Sequence, residues 1–172
     1  EPITIGAIVG PEAFMEVRYL MHAKQRQALE TIPRIASEFE AAFGRASGGL
    51  VRGYRAEDAE TVIVSLGSVL GTIEDVIDAR RERGEKIGAL AVRTFRPYPL
   101  EEVRAALAHA KRVIVVDNNA FGQLEQLIKL HAGHFDHVHS LRKYSGEPYR
   151  LFEIESKVQE VLALIESAQE VG

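Results

Sequence analysis

The sequence contains no cysteine among its 172 residues, which excludes disulfides and any thiolate-held zinc ion or iron–sulfur cluster within this chain. It also lacks a basic excess, because 21 Lys and Arg stand against 25 Asp and Glu for a formal net charge of −4, and this argues against nucleic-acid binding. No apolar run reaches the ~18–20 residues that cross a bilayer, and no signal-peptide pattern opens the chain. We therefore expect a cytoplasmic protein with no nucleic-acid partner and no membrane span.

Three short apolar runs rich in β-branched residues recur about every 25 residues, at 61–66, 87–92 and 112–116. Runs that are apolar on both faces are typical of strands in a covered parallel sheet. Each run is followed by an amphipathic stretch, so the pattern predicts βα units. With a further strand at 138–142, we expect an α/β fold with three layers and a mostly parallel sheet of about five strands.

The amphipathic stretches carry helix signals. Thr72 and Asp75 resemble a capping box that begins a helix, and Gly84 is a typical stop signal at its end. Pro99 stands where the second helix begins, at a position that proline favours. Further helices are predicted at about 122–130 and 152–168.

The first third of the chain has a different pattern. Residues 12–43 carry an apolar stripe at helical spacing and predict a helix, in which Pro33 should introduce a kink or a break. Residues 45–56 are rich in Gly and Arg and suggest a linker. The predicted organisation is a helical arm and linker at 1–56 and an α/β domain at 57–172.

Polar residues follow each predicted strand, at the edge where open α/β sheets bind ligands. Ser68 and Thr72 lie in the turn after the first strand, where backbone N–H groups can hold an anion. Arg96 follows the second strand, and a guanidinium there can pair with phosphate or carboxylate. Asp117 and Asn118 end the third strand. We take these five as candidate anion-binding or interface residues.

Each candidate has a plain structural alternative. Residues 67–72 match neither the dinucleotide fingerprint nor the P-loop, so they can be an ordinary strand–helix turn. Arg96 can bond to neighbouring carbonyls or to a carboxylate at an interface. Asp117 and Asn118 also suit a turn or a helix cap.

Four histidines lie close together in the sequence, at His131, His134, His137 and His139. Their spacing could supply metal ligands if the loop folded around an ion, but a solvated loop explains them equally well. We predict no metal site. The sequence contains no recognisable nucleophile elbow and no prominent carboxylate pair, so it predicts no catalytic residue.

Several motifs together resemble one enzyme family. The segments YRAEDAE at 54–60 and RTFRPYP at 93–99, with the glycine-containing stretches 66–72 and 84–88 between them, resemble the α chain of pyruvate:ferredoxin oxidoreductase. Residues 10–19 and 38–45 resemble the segment that joins the first two domains of that family. Later segments, DNNAFGQL at 117–124 and KYSGEPY at 143–149, look more like its 2-oxoglutarate and general 2-oxoacid branch.

The resemblance implies a parent enzyme that oxidatively decarboxylates pyruvate or a related 2-oxoacid on thiamine diphosphate and magnesium, passes electrons through iron–sulfur clusters and makes an acyl-CoA. It implies β, γ and ferredoxin-like δ subunits as partners, and ferredoxin or flavodoxin as electron acceptor. The present domain is similar to the transketolase C-terminal domain, which mainly packs and assembles. The family's catalytic residues belong to an upstream domain.

The resemblance therefore predicts an assembly domain that is inactive alone and binds none of these cofactors. The start of the chain at Glu1, without an initiator Met, also favours a piece of a larger protein. The alternative hypothesis is a regulatory α/β module that binds an anion or a nucleotide.

Overall fold

The computed structural model describes residues 6, 8–46, 48–131 and 138–169. The chain divides into two compact units, one comprising Glu1–Ser47 with Arg96–Tyr98 and the other Gly48–Phe95 with Pro99–Gly172. The first unit is built on the helix α1, Pro11–Phe43. The second unit is an α/β domain.

The α/β domain contains a five-stranded sheet in the order β1-β3-β2-β4-β5. Strand β1 is antiparallel to β3, and every other pairing is parallel. This confirms the predicted α/β fold with a mostly parallel sheet. The strands are β1 at Val51–Tyr54, β2 at Thr61–Ser65, β3 at Ile87–Val92, β4 at Arg112–Asp117 and β5 at Val138–Arg142.

Four helices follow the parallel strands, as the amphipathic patterns predict. They are α2 at Val69–Arg81, α3 at Leu100–Leu107, α4 at Gln123–His131 and α5 at Leu151–Gln169. Helices α2 and α5 pack together on one face of the sheet, where a buried cluster includes Ile63, Ile77, Ile114, Ile154 and Val158. No helix in the described part of the chain is long and apolar enough to cross a membrane.

The N-terminal unit contains the predicted helix, but this helix is not broken into two at Pro33. Helix α1 runs through Pro33 as one element of 33 residues. It ends at Gly44, which takes a left-handed conformation with φ of 67° and donates its N–H to the carbonyl of Glu40. None of its residues is buried.

Strand β1 is missing from the sequence prediction, which assigns 45–56 to a linker. The strand has only four residues and pairs along one edge of the sheet. Arg52 and Gly53 at its centre are both exposed, so no alternation of buried and exposed residues marks it. The predicted division of the chain at residue 57 stays a prediction.

The predicted capping box of Thr72 and Asp75 is wrong. Helix α2 begins at Val69, with Ser68 as its N-cap residue and no side-chain capping hydrogen bond. Gly67, with φ of 82°, turns the chain directly out of β2 and into the helix. Because the helix begins before Thr72, its first turn includes Leu70, whose side chain is buried in the core.

The segment after β1 is fixed to the end of α2 by polar contacts. The Tyr54 hydroxyl donates to the Asp78 carboxylate at 2.9 Å, and Arg55 Nε pairs with the same carboxylate at 2.8 Å. Arg81 binds both oxygens of Asp58, at 2.9 and 2.7 Å, and also donates to the carbonyl of Arg55 at 2.6 Å. The YRAEDAE segment therefore serves the fold, by attaching an antiparallel edge strand to a parallel sheet.

Arg80 joins α2 to α5 from inside the protein. Its side chain is 1% exposed, and its guanidinium lies 2.8 Å from Glu85 and 2.9 Å from Glu155. Burial lowers the pKa of Arg80, but the hydrogen bonds that it donates to these two carboxylates outweigh burial and raise the pKa. A buried charge held in this way costs free energy if one partner is removed.

We expect Arg80→Ala to lower the free energy of unfolding by about 2–3 kcal/mol, because it removes the cation of Glu85 and the nearer of the two cations of Glu155, both half-buried carboxylates. Arg83→Ala is the matched control, since Arg83 is exposed and pairs with the same Glu155 at 3.3 Å. The control should cost no more than about 0.5 kcal/mol. Urea denaturation measures the free energy of unfolding of both variants. Equal losses of stability would show that the buried position of Arg80 does not strengthen its ion pairs.

Candidate functional site

The order of the strands creates a crevice at the carboxyl edge of the sheet. The chain moves from β2 to β3 on one side and then to β4 on the other side. In open α/β sheets, ligands bind at the point where this direction reverses. A cavity of about 310 Å³ opens there, and its walls include Ser65, Leu66, Phe95, Asp117, Asn118 and Asn119. We call it the carboxyl-edge crevice.

Asp117 is the charged group of this crevice, and it is 5% exposed. Its Oδ1 accepts hydrogen bonds from the backbone N–H of Leu124 at 3.2 Å and from the Asn119 amide at 2.9 Å. Its Oδ2 accepts from the N–H of Glu125 at 3.2 Å. The carboxylate thereby satisfies the free amides at the start of α4 and interacts favourably with the helix dipole.

The rest of the loop between β4 and α4 completes this cap. The side-chain oxygen of Asn119 accepts from the N–H groups of Phe121 and Gln123, each at 3.2 Å. Gly122 takes a left-handed conformation with φ of 65°. A Cβ at this glycine would lie 2.7 Å from Arg142 Nε and 2.8 Å from Glu125 Oε2. The NxxGQL pattern at 119–124 is therefore explained by helix capping and close packing.

Glu125 forms a charge cluster beside this cap. It is buried, and its carboxylate accepts from Lys129 Nζ and from Arg142, each at 2.5 Å. Burial raises the pKa of Glu125, but hydrogen bonds from Lys129, Arg142 and Ser140 outweigh burial and lower it to about 2. The cluster connects α4 to β5 and holds Glu125 ionised throughout the neutral range.

Hydrogen bonds also hold the backbone at the end of β4 in place. The carbonyl of Asp117 accepts from the Tyr149 hydroxyl at 3.0 Å and from the N–H of Lys143 at 3.1 Å. Ser65 Oγ donates to the carbonyl of Val116 at 2.8 Å. Burial raises the pKa of Tyr149 to about 12, with the nearby charges of Glu153 and Asp117 adding to the effect. These groups hold the crevice wall in place and leave Tyr149 protonated.

The five candidate residues do not all meet in one place. Asp117 and Asn118 line the carboxyl-edge crevice. Ser68 is exposed at the start of α2, and Thr72 lies within that helix. Arg96 belongs to the first unit, where with Pro97 it lines a groove along α1. An anion or interface role for the five stays a prediction, and the buried carboxylate of Asp117 repels an anion from the crevice.

Two parts of this region are not predicted from the sequence, namely the apolar side of the crevice and the charge cluster beside it. Leu66 and Phe95 both follow buried strands, which is the one local signal that places them at this edge. Glu125 and Lys129 show in the sequence only as an ordinary i,i+4 pair on a helix, since the other partner, Arg142, is 17 residues away.

The histidine cluster falls partly outside the described residues, which include neither His134 nor His137. His131 is the last residue of α4 and His139 lies in β5. Among the residues that the structure describes, no group of three His, Cys, Asp or Glu side chains could hold a metal ion.

The family described as "Pyruvate:ferredoxin oxidoreductase core domain II" matches residues 59–154. Pyruvate synthase subunit PorA of Methanosarcina barkeri is 46% identical over 119 residues, which cover 69% of this chain and 30% of that protein. Ketoisovalerate oxidoreductase subunit VorA of Pyrococcus horikoshii is 35% identical over 123 residues, which cover 71% of this chain and 31% of that protein. This chain therefore spans about a third of the length of these curated relatives.

One solved structure supports the fold. The 2-oxoglutarate:ferredoxin oxidoreductase from Magnetococcus marinus matches with a TM-score of 0.60 and 22% identity, over 72% of this chain and 21% of that one. At this identity the likeness concerns the fold alone.

We expect Gly122→Ala to lower the free energy of unfolding by about 2–3 kcal/mol, since the new methyl group both strains the backbone and displaces the Glu125–Arg142 pair. Gly146→Ala is the control, because Gly146 has a similar φ of 80° but nothing within 4 Å of its would-be Cβ. That variant should cost about 1 kcal/mol from backbone strain alone. Thermal and urea unfolding give both values, and equal losses would contradict the close packing.

The lowered pKa of Glu125 predicts a pH dependence of stability. A carboxyl with a folded pKa of about 2, against an ordinary value of 4.5, stabilises the fold fully above pH 4.5 and loses that effect as the pH falls towards 2. The stability advantage of the protein over Glu125→Gln should therefore shrink by about 1–2 kcal/mol between pH 6 and pH 3.5.

Glu101→Gln provides the control for this titration, since Glu101 is exposed and lies 3.6 Å from Arg104. An exposed ion pair contributes little to stability, so this variant should stay within about 0.5 kcal/mol of the unchanged protein over the same range. A constant difference for Glu125→Gln as well would show that the cluster does not lower this pKa.

Proposed function

Because this chain belongs to the pyruvate:ferredoxin oxidoreductase core domain II family, we propose that it is the structural and assembly domain of the α subunit of a 2-oxoacid:ferredoxin oxidoreductase. In this proposal the whole complex oxidatively decarboxylates a 2-oxoacid on thiamine diphosphate, forms an acyl-CoA and passes electrons to ferredoxin or flavodoxin. The domain itself carries out no chemical step. The complex works in the cytoplasm.

The substrate is proposed as a class. Relatives named for pyruvate and for ketoisovalerate are similar to this chain at 46% and 35% identity over comparable lengths. Both names describe 2-oxoacids, so we propose pyruvate or a related 2-oxoacid as the substrate of the complex.

The iron–sulfur clusters of such a complex do not fit the sequence of this chain, and its magnesium ion does not fit the carboxyl-edge crevice. Iron–sulfur clusters are held by thiolates, and the sequence has no cysteine. The magnesium ion of thiamine diphosphate prefers carboxylate and amide oxygens, whereas both carboxylate oxygens of Asp117 already accept hydrogen bonds from α4 and its loop. We therefore assign the cofactors to other domains or subunits.

The assembly role is supported mainly by the exposed apolar surface of helix α1. It has 33 residues and none of them is buried. Large apolar side chains are more than half exposed along it, including Phe14, Met15, Tyr19, Leu20 and Met21. Soluble proteins rarely leave such a surface uncovered unless it contacts another protein. We propose that α1 packs against other domains or against the β, γ and ferredoxin-like δ subunits.

We expect Leu20→Gln with Met21→Gln to prevent association while leaving α1 helical, because glutamine has a helix propensity close to that of Leu and Met. An affinity-tagged chain, expressed in its native cells, should retain the other oxidoreductase subunits, identified by mass spectrometry. The double variant should lose them by about tenfold or more.

Arg26→Gln with Glu30→Gln is the control, since both residues are exposed polar positions of the same helix. This control should associate like the unchanged chain. Association that survives loss of both apolar side chains would remove α1 as the assembly surface, and a chain that turns over a 2-oxoacid alone would contradict the proposal as a whole.

A further inference from the structure

A second and larger cavity lies at the opposite edge of the sheet, among the first residues of the parallel strands. Its volume is about 590 Å³, within the range of small-molecule sites. Thr61, Ile87 and Arg112 begin β2, β3 and β4, and they line it together with Arg80, Lys86 and Gln159. We call it the amino-edge cleft.

Basic side chains outnumber acidic ones among the residues that line the cleft. Three basic side chains line it, Arg80, Lys86 and Arg112, against two acidic ones, Glu60 and Glu85. Both carboxylates are already engaged, because Glu85 accepts from buried Arg80 at 2.8 Å and Glu60 accepts from Lys111 Nζ at 3.0 Å. Lys86 Nζ lies at the longer distance of 3.6 Å from Glu60 and is largely exposed.

Arg112 is the residue whose charge is not balanced. It is half-buried at the start of β4, and its NH1 donates to the hydroxyl of Thr61 at 3.1 Å. No carboxylate in the described part of the chain lies within ion-pair distance of it. Its guanidinium carries further N–H donors in a planar fork, and such donors match the oxygens of an anion.

We propose that the amino-edge cleft binds a small phosphate-bearing anion, with Arg112 and Lys86 holding the phosphoryl oxygens. A guanidinium and an ammonium placed together are a typical phosphate-binding pair. Arg80 is held by Glu85 and Glu155, so the binding of the anion is assigned to Arg112 and Lys86 alone. The site is separate from the carboxyl-edge crevice, and the inference does not rest on the assembly role.

Pyrophosphate is the probe, titrated calorimetrically into the 172-residue chain at low ionic strength. We expect saturable binding of one anion per chain. Lys86→Gln with Arg112→Gln should weaken it by about tenfold or more. Lys86→Gln alone, at an exposed position, should weaken it by about threefold and keeps the test valid if the Arg112 change disturbs folding.

Lys24→Gln with Arg104→Gln is the matched control, because it removes the same charge from exposed positions outside the cleft. Its affinity should stay within about twofold of the unchanged chain. The inference is overturned if pyrophosphate shows no saturable heat up to about 5 mM. It is overturned equally if the control loses as much affinity as the cleft variant, or if succinate binds as tightly as pyrophosphate.

Discussion

The carboxylate of Asp117 at the end of β4 is the contact on which the carboxyl edge of the domain depends. Its two oxygens accept hydrogen bonds from the start of α4 and from Asn119. Its carbonyl accepts from the Tyr149 hydroxyl and the Lys143 amide. One residue thus joins β4, α4, the end of β5 and the approach to α5. We expect such a residue to set the geometry of this edge, because its carboxylate already accepts three hydrogen bonds from the chain itself.

The residues of the family motifs, like Asp117, form contacts that hold the fold together. Tyr54 and Arg55 both reach Asp78, while Arg81 holds Asp58 and the carbonyl of Arg55. Gly88 lets that segment pass, since a Cβ there would lie 2.4 Å from the Arg55 carbonyl oxygen. These motifs specify how an antiparallel edge strand joins a parallel sheet. They identify the family through its fold, which explains why recognisable motifs predict no catalytic residue in this chain.

Sequence patterns predict the strands that are covered on both faces, because β3 has the predicted bounds at 87–92 and all six of its residues are buried. The edge strand β5 also has its predicted bounds at 138–142, although none of its residues is fully buried. They do not predict β1, since a four-residue edge strand needs no apolar alternation. The position of Asp117 and Asn118 at the carboxyl edge follows from their place at the end of a strand. Arg96 also follows a strand in the sequence, but it lines the groove along α1. The local sequence also does not predict the ion pair between Arg80 and Glu155, because these two residues are 75 positions apart. Buried charge pairs form through the fold and leave no periodic signal.

The two edges of the sheet use charge differently. In many α/β domains the helix N-termini at the carboxyl edge attract an anionic ligand. Here the amides at the start of α4 are satisfied by Asp117, so the chain itself supplies the negative charge that a ligand would bring. At the amino edge the positive charge of Arg112 has no such internal counterpart among the described residues. An anion is therefore better accommodated at the amino edge, which is the reverse of the usual position in this class of fold.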